Sequence, residues 1–245
     1  MNTPKLSVII PAYNEEKRLI STLTRIDEYL REQSYSYELI VVSDGSRDGT
    51  ARVALEWCPE GFPLEVIDRK ENRGKGYSVR EGAALARGEY ILFSDADLST
   101  PIEEIEKFLP LLRGGTDIVI GSRSLRDSEV EVHQPLYRVM MGRVFNGMVQ
   151  LLAVRGIIDT QCGFKCFSRS AVTKIFPRCL IEGFAFDVEI LFLTRKFGLS
   201  IKEIPVRWIN AEGSSVSPIR DSLAMFKEIC QVRLNDWKGR YGKKG

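Results

Sequence analysis

Short apolar runs rich in β-branched residues alternate with longer stretches of helical periodicity along the first half of the chain. The runs predict five buried strands, at residues 6–11, 37–43, 64–68, 89–94 and 117–121. Between them the pattern predicts helices at about 14–33, 48–58, 74–87 and 101–112. Because strands and helices alternate through short connections, we expect a Rossmann-like α/β fold with a mostly parallel sheet flanked by helices. Amphipathic helices are expected toward the C-terminus.

Several of these helices carry their own start or stop signals. Asn14 and Asp48 are expected to begin the first two helices, and Gly88 to end the third. Thr100, with Glu103 three residues later, reads as a capping box for the fourth helix. That helix therefore needs neither of the two aspartates that precede it as a cap.

Those two aspartates directly follow the fourth strand, in the sequence Asp95-Ala96-Asp97. Side chains two apart in an extended segment point the same way, so both carboxylates are expected beyond the strand's carboxyl end. Neighbouring carboxylates repel unless a cation lies between them, and Mg²⁺ or Mn²⁺ suits such oxygen ligands. An Asp-x-Asp sequence is also an ordinary turn or helix cap. Open α/β sheets bind ligands at the strands' carboxyl ends, however, which favours a metal and phosphate site.

The other predicted strands end in polar residues on the same edge of the sheet. Asp44 is placed to accept hydrogen bonds from a nucleobase, although an aspartate in an ordinary Asp-Gly turn explains it too. The segment 72–76, Asn-Arg-Gly-Lys-Gly, opens a helix, and its glycines would let backbone N–H groups approach an anion. A flexible surface turn is the alternative for that segment.

Composition narrows the class of protein without naming a function. A chain of 245 residues with 44% hydrophobic and 28% charged residues can bury one sizeable core, and we expect a single domain. A net charge of +2 provides no global field for nucleic acid, so no nucleic-acid partner is expected. Five scattered cysteines argue against a disulfide framework and for a reducing cytosol. No signal peptide is expected at the start of the chain.

Seven segments of the sequence stand out as motifs: VIIPAYNEE at 8–16, VSDGSRDGT at 42–50, ENRGKG at 71–76, SDAD at 94–97, GSR at 121–123, DTQCGFKCF at 159–167 and FAFDVEIL at 184–191. They resemble family 2 of the inverting glycosyltransferases, which have the GT-A fold. The resemblance covers about residues 5–215. Within the family the chain is most similar to the polyprenyl-phosphate glycosyltransferases, and it resembles the dolichyl-phosphate glucosyltransferase branch more than the mannosyltransferase branch. The resemblance implies a nucleotide-sugar half at about 5–123 and an acceptor half at about 124–245.

The resemblance assigns roles to individual residues. Asp97 and Asp95 would bind the metal, Mg²⁺ or Mn²⁺, and Arg123 would face the phosphates. Ser99 stands where the mannosyltransferase relatives have a glutamine metal ligand, which implies a weaker ligand or a different donor. The residues implied for binding a UDP- or GDP-hexose are Pro11, Tyr13, Glu15, Asp44, Asp68, Gly74, Lys75, Asp95 and Ala96.

The implied acceptor is a polyprenyl or dolichyl phosphate, and its chemistry predicts what the site needs. A phosphate monoester has a second pKa of about 6 and is largely dianionic at neutral pH, so it needs no general base. It needs cations instead, for which we expect Arg123 and Arg138. Asp187, at the start of an apolar helix, is either a catalytic residue or that helix's cap. Glu189 is expected to face solvent or a local cation.

Two segments bear on how a lipid acceptor would be reached. Residues 136–154 form an apolar helix interrupted by Arg138 and Arg143, either lying in a membrane interface or buried against the sheet. The C-terminal residues 237–244 mix cations with aromatics, which suits either a bilayer surface or a frayed, solvated tail. No hydrophobic anchor is recognised, so we expect peripheral contact with the cytoplasmic face of a membrane, or an anchor outside this chain.

Two other classes of protein fit part of the pattern. A nucleotidyltransferase would also use a parallel sheet and paired acids, but it usually has a glycine-rich, basic segment after the first strand, where this chain has Asn14-Glu15-Glu16. A binding module without activity is the second, and the presence of Asp95, Asp97 and Arg123 argues against it. A family 2 transferase acting on a sugar hydroxyl remains an alternative for the acceptor.

Overall fold

The computed structural model of the protein describes residues 3–59, 62–130, 147, 149–150, 152–209 and 218–242. Its strands are β1 Leu6–Ala12, β2 Tyr37–Ser43, β3 Leu64–Asp68, β4 Tyr90–Ser94, β5 Ile118–Ser122, β6 Glu129–Val130, β7 Phe164–Ser168, β8 Ile201–Pro205 and β9 Arg207–Trp208. Its helices are α1 Leu19–Arg31, α2 Thr50–Trp57, α3 Lys75–Leu85, α4 Ile105–Arg113, α5 Arg169–Ile175, α6 Phe186–Lys196 and α7 Pro218–Trp237. Short 3₁₀ turns lie at Ile102–Glu104 and Phe176–Arg178.

Seven strands form one sheet in the order β3-β2-β1-β4-β7-β5-β8. All neighbours are parallel except β7, which is antiparallel to both β4 and β5. The predicted mostly parallel α/β sheet is therefore confirmed. The β6 and β9 strands pair separately as a small parallel ribbon. The insertion of β7 was not predicted, because the sequence pattern of the second half gave no alternation to assign it.

The sheet separates two apolar cores, since alternate residues of each strand face opposite sides. Ile91 and Phe93 of β4 belong to the core that includes α3 and α6, whereas Tyr90 and Leu92 belong to the core that includes α1 and α4. Every residue of β1 and β4 is buried, as expected for central strands covered on both faces. Among the described residues no helix is both long and apolar enough to cross a bilayer. All five cysteines are unpaired.

Several predicted helix boundaries are wrong, for local reasons. The first helix begins at Leu19, because Asn14 has a left-handed φ of 56° and its side-chain oxygen accepts a hydrogen bond from Arg47 N. Asp48 does accept a hydrogen bond from Thr50 N at 3.0 Å, at the start of α2. The predicted capping box at Thr100 is absent, since extended Pro101 precedes the 3₁₀ turn without a side-chain cap.

The predictions for Glu189 and for the end of the chain also need correction. Glu189 is fully buried, and its carboxylate accepts hydrogen bonds from the backbone N–H groups of Leu180 and Ile181 and from the hydroxyl of Tyr241. Burial raises the pKa of Glu189, and the hydrogen bonds from these donors only partly offset the rise. Tyr241 is 1% exposed, so the C-terminal residues as far as Tyr241 are not a frayed tail. Trp237, in contrast, is 84% exposed.

Of the segment 136–154, the described part supports burial against the sheet. Val149 and Val154 are buried in the same core as Phe93. Arg138 and Arg143 lie outside the described residues.

The bond between Tyr241 and Glu189 predicts a measurable contribution to stability. Tyr241→Phe should lower the free energy of unfolding by about 1.5–3 kcal/mol, because a buried hydrogen bond to a charged group is lost. Urea unfolding followed by circular dichroism measures the change. Tyr13→Phe, at an exposed tyrosine, is the matched control and should change little. Equal stabilities for the two variants would contradict the role given to Tyr241.

Candidate active site

The carboxyl ends of β1, β2 and β3 lie level with one another, since Ala12 pairs with Ser43 and Ser43 with Asp68. We call this edge of the sheet, together with the end of β4, the carboxyl rim. Neighbouring strands are about 4.8 Å apart, so the ends of β3 and β4 are separated by about 14 Å. The rim is therefore long enough for an extended ligand such as a nucleotide.

A tight turn presents the two aspartates that follow β4. Asp95 N donates a hydrogen bond to Gly163 O at 3.1 Å, which fixes the turn to the chain just before β7. Ser99 N donates to Asp97 Oδ1 at 3.0 Å, so Asp97 does cap the turn locally. Leu98 has a left-handed φ of 48°, which is strained for a leucine and is typical of functional sites. Both carboxylates thus have defined positions.

A buried ion pair between Lys165 and Asp187 lies next to β4, close to this turn. Lys165 on β7 is directly opposite Phe93 on β4, and its side chain is fully buried. Its ammonium lies 2.6 Å from Asp187 Oδ1 and also donates a hydrogen bond to the carbonyl of Cys162. The N-cap residue of α6 is Ala185 and has no side-chain cap, which disfavours a helix cap among the two roles considered for Asp187. Burial raises the pKa of Asp187, while Lys165 and Lys75 act in the opposite direction.

The ammonium of Lys75 approaches the same place from the start of α3. It lies 2.6 Å from Asp95 Oδ1, and a quarter of its side chain is exposed. Despite this proximity, Asp95 Oδ1 is buried and accepts no hydrogen bond with good geometry from the described residues. Lys75 and Lys165 lie over the ring of Phe93, at 5.2 Å and 5.9 Å from its centroid.

The donor set at this turn suits a divalent cation that is shared with a ligand. The buried Asp95 Oδ1 is a hard oxygen that no described residue meets with a well-aligned hydrogen bond, and Asp97 lies in the same turn. Among the residues that the structure describes, no three acidic, histidine or cysteine side chains gather as a closed metal site. The protein thus offers an open pair of carboxylates, and phosphates and water would complete the coordination.

Gly163 gives the Asp95 carboxylate its room. A Cβ atom at residue 163 would lie 1.8 Å from Asp95 Oδ2, closer than any real contact. The glycine of the motif at 159–167 is thus explained by the position of a side chain on the neighbouring strand.

Gly74 and Gly76 are also explained by close packing. Gly74 has a φ of +102°, and an added Cβ would lie 2.4 Å from Glu182 O. A Cβ on Gly76 would lie 2.5 Å from Phe186 Cβ. The start of α3 is therefore pressed against the segment that leads into α6.

Arg123 is held by a carboxylate that the sequence analysis did not identify. Its Nε and Nη2 donate to the two oxygens of Asp159 at 2.7 Å and 2.8 Å, and its backbone N donates to Asp159 at 2.9 Å. The Arg123 guanidinium and neighbouring hydrogen bonds outweigh the effect of burial and lower the pKa of Asp159 to about 2. The described residues provide no acceptor for Nη1, which leaves it for a ligand.

Asp44 organises the loop that opens α3. Its two oxygens accept hydrogen bonds at 2.8 Å from Arg73 N and Gly74 N, and Oδ1 also pairs with the guanidinium of Arg69. Asp44 is 4% exposed. Much of its accepting capacity is therefore used within the protein, and a base contact at Asp44 stays a prediction.

The remaining predicted residues are spread along the rim. Tyr13 and Asp68 are exposed at the ends of β1 and β3, and Pro11 is buried within β1. Glu15 is half-buried; burial, Asp97, Asp48 and Asp95 raise its pKa, and Arg18 opposes this. Ala96 is buried in the core with α1, so a direct contact of its side chain with the ligand is not supported. Arg138 lies outside the described residues.

Sequence reasoning missed three residues that build the site: Asp159, Gly163 and Lys165. All three lie in the motif at 159–167, so the motif itself was the available signal. Their partners, Arg123, Asp95 and Asp187, lie 22 or more residues away in the sequence, and only folding brings them together.

Comparison with known proteins places this geometry in context. The family model described as Glycosyl transferase family 2 matches residues 7–176. A dolichyl-phosphate beta-glucosyltransferase of Dictyostelium discoideum is 39% identical, over 95% of this chain and 76% of the relative. Enzymes with the same name from Homo sapiens and Saccharomyces cerevisiae are 38% and 37% identical, over 98% and 96% of this chain and 78% and 76% of their own lengths.

Solved structures share the fold. Glucosyl-3-phosphoglycerate synthase of Mycobacterium tuberculosis, in complex with Mn²⁺, UDP-glucose and phosphoglyceric acid, has a TM-score of 0.70 at 21% identity, covering 99% of this chain and 81% of that one. Mannosyl-3-phosphoglycerate synthase of Rubrobacter xylanophilus has a TM-score of 0.68 at 19% identity, covering 97% and 75%. The predicted GT-A fold is thereby confirmed.

The ion pair beneath the turn predicts strong coupling between two substitutions. Asp187→Asn and Lys165→Met should each lower the free energy of unfolding by about 3–5 kcal/mol, because each leaves a buried charge without its partner. The double variant should lose much less than the sum. Urea unfolding of the four proteins measures the coupling, and Glu56→Gln, which breaks an exposed pair with Arg52, is the control with little effect. Additive losses would show that the pair is not coupled.

The contact at Gly163 predicts a loss of function without unfolding. Gly163→Ala should displace the Asp95 carboxylate and lower binding of a nucleoside diphosphate with Mn²⁺, measured by calorimetry. Gly147→Ala, at an exposed helical glycine with nothing within 4 Å of its Cβ position, is the matched control. Unchanged affinity in folded Gly163→Ala would contradict the role of this contact.

Proposed function

Because the chain belongs to glycosyl transferase family 2 and is therefore a glycosyltransferase, we propose that it transfers glucose from UDP-glucose to a polyprenyl phosphate such as dolichyl phosphate, with inversion. The family that the sequence motifs resembled is thus confirmed. The observation that carries the donor side is the pair of carboxylates after β4, in which the buried Asp95 Oδ1 has the Lys75 ammonium as its partner among the described residues.

A nucleotide sugar fits the carboxyl rim in one direction. Asp44 and Asp68 lie toward the β2 and β3 end, where the nucleobase is proposed to bind, and Asp95 and Asp97 lie at the β4 end, beside the diphosphate and the sugar. Mg²⁺ or Mn²⁺ held by Asp95 and Asp97 would supply positive charge to the leaving diphosphate. The Mn²⁺ and UDP-glucose in the Mycobacterium tuberculosis structure support this choice of metal and donor.

The acceptor proposal rests on the relatives and on the state of Asp187. Dolichyl-phosphate beta-glucosyltransferases match this chain over nearly its whole length. Asp187 is buried and paired with Lys165, so its carboxylate is held as a structural counter-ion. Because Asp187 is paired in this way, it is not a free base, and a phosphate dianion attacks without losing a proton.

Arg123 is proposed to hold the acceptor phosphate. Asp159 fixes its guanidinium plane by two hydrogen bonds and leaves Nη1 to donate. A rigid guanidinium binds a phosphate oxygen with little loss of side-chain entropy. Arg138 remains a proposed second cation for the same phosphate. We further propose peripheral contact with the cytoplasmic face of a membrane, where such a lipid phosphate would be presented.

A panel of donors and acceptors tests the proposed function. UDP-glucose, UDP-galactose, GDP-mannose and GDP-glucose are each incubated with a short-chain polyprenyl phosphate and Mg²⁺ or Mn²⁺. We expect glucose from UDP-glucose on the lipid phosphate, with a β linkage by NMR. Preferred transfer from GDP-mannose would favour the mannosyltransferase alternative, and transfer to a soluble sugar hydroxyl alone would overturn the lipid acceptor.

The metal assignment makes a separate prediction for this assay. Asp97→Asn should lower turnover by about 100-fold or more, because a charge that stabilises the transition state through the metal is lost. Asp117→Asn, at the amino end of β5 on the opposite edge of the sheet, is the control with near-normal turnover. Near-normal turnover of folded Asp97→Asn at saturating metal would show that Asp97 is not a metal ligand.

A further inference from the structure

Lys75 occupies a position that a divalent cation would also seek. Its ammonium lies 2.6 Å from Asp95 Oδ1, the same buried oxygen that is proposed to bind the metal. This contact makes the Lys75 ammonium the internal counter-ion of Asp95.

The two lysines offset most of the negative charge of the cluster without a metal. Lys75 and Lys165 carry two positive charges, and Asp95 and Asp187 carry two negative ones. Asp97 adds one more negative charge. A divalent cation that arrives alone would bring two positive charges next to the Lys75 ammonium, and like charges at such short range repel strongly.

The two lysines differ in their freedom to respond. Lys165 is fully buried and bound to both Asp187 and the Cys162 carbonyl. The Lys75 side chain is a quarter exposed and has a flexible four-carbon stem. Lys75 can therefore change its partner, and Lys165 cannot.

We propose that Lys75 competes with the divalent cation for Asp95 and thereby couples metal binding to nucleotide binding. This proposal rests on the donor and metal of the proposed function. When the diphosphate arrives, its oxygens offer the Lys75 ammonium a new anionic partner, so that Asp95 is released to the metal. The metal alone has to displace Lys75 without that compensation.

Thermodynamic linkage then fixes two consequences. If the diphosphate strengthens metal binding by a given factor, the metal strengthens diphosphate binding by the same factor. Removal of the Lys75 charge should remove the competition, so that the metal alone binds more tightly. The same removal should reduce the mutual enhancement, because the nucleotide no longer relieves any competition.

The experiment uses Mn²⁺ and UDP as the probes, with the full chain and no acceptor. Mn²⁺ binding is followed by the electron paramagnetic resonance signal of the free ion, with and without UDP, in the wild type and in Lys75→Met. Lys107→Met is the matched control, because Lys107 lies on the helix after the Asp95 turn and pairs with Glu104. Circular dichroism verifies that each variant is folded.

We expect UDP to strengthen Mn²⁺ binding to the wild type by about 5-fold or more, the lower end of typical coupling between two ligands. In Lys75→Met, Mn²⁺ alone should bind about 5-fold more tightly than to the wild type, and the enhancement by UDP should fall. Lys107→Met should behave as the wild type. The binding of Mn²⁺ is the decisive readout, since a merely structural role of Lys75 would weaken it.

Unchanged or weaker binding of Mn²⁺ alone by Lys75→Met, or an undiminished effect of UDP, would overturn the proposal. An equal gain in Lys107→Met would also overturn it, because the effect would then be one of net charge. A failure of the proposed function has a different signature: the coupling between Mn²⁺ and UDP is present, but no glucose reaches the lipid phosphate.

Discussion

The buried ion pair between Lys165 and Asp187 is the interaction on which the site depends. Moving two charges out of water costs several kcal/mol for each ion, so neither residue could be buried without the other. The pair ties the antiparallel strand β7 to the start of α6. Since β7 lies next to β4, it also holds the support for Asp95 in place. The buried ion pair and the proposed metal ligand Asp95 therefore lie close together at the carboxyl end of β4.

Asp95 links this rigid support to the movable part of the site. Gly163 limits where its carboxylate can lie, and Lys75 provides its counter-ion. The electrostatic effect of Asp95 also reaches Glu15, Asp187 and Arg123. A change of partner at this one carboxylate is consequently felt by the groups proposed to bind the donor and the acceptor. A fixed carboxylate beside a mobile ammonium is well suited to exchange one cation for another.

The contacts around α3 join the two parts of the chain. Gly74 and Gly76 allow α3 to pack against residues 182–186, and Arg73 forms an ion pair with Glu182. The loop that Asp44 organises is thus in direct contact with the segment that precedes α6. Helix α6 in turn contains Asp187. Glycines that the sequence analysis assigned to anion binding serve this packing as well. Helix α3 therefore helps to position both the loop held by Asp44 and the buried ion pair between Lys165 and Asp187.

The sequence by itself determined the first five strands, the mostly parallel sheet and the carboxylates at the end of β4, because hydrophobic periodicity and strand ends are local properties. It also determined the family, through motifs at fixed positions. Only the tertiary structure decided that Lys165 neutralises Asp187, that Asp159 holds Arg123 and that Lys75 occupies the oxygen of Asp95. Each of these pairs joins residues 20 or more positions apart, and the sign of a charge gives no indication of its partner until the chain is folded.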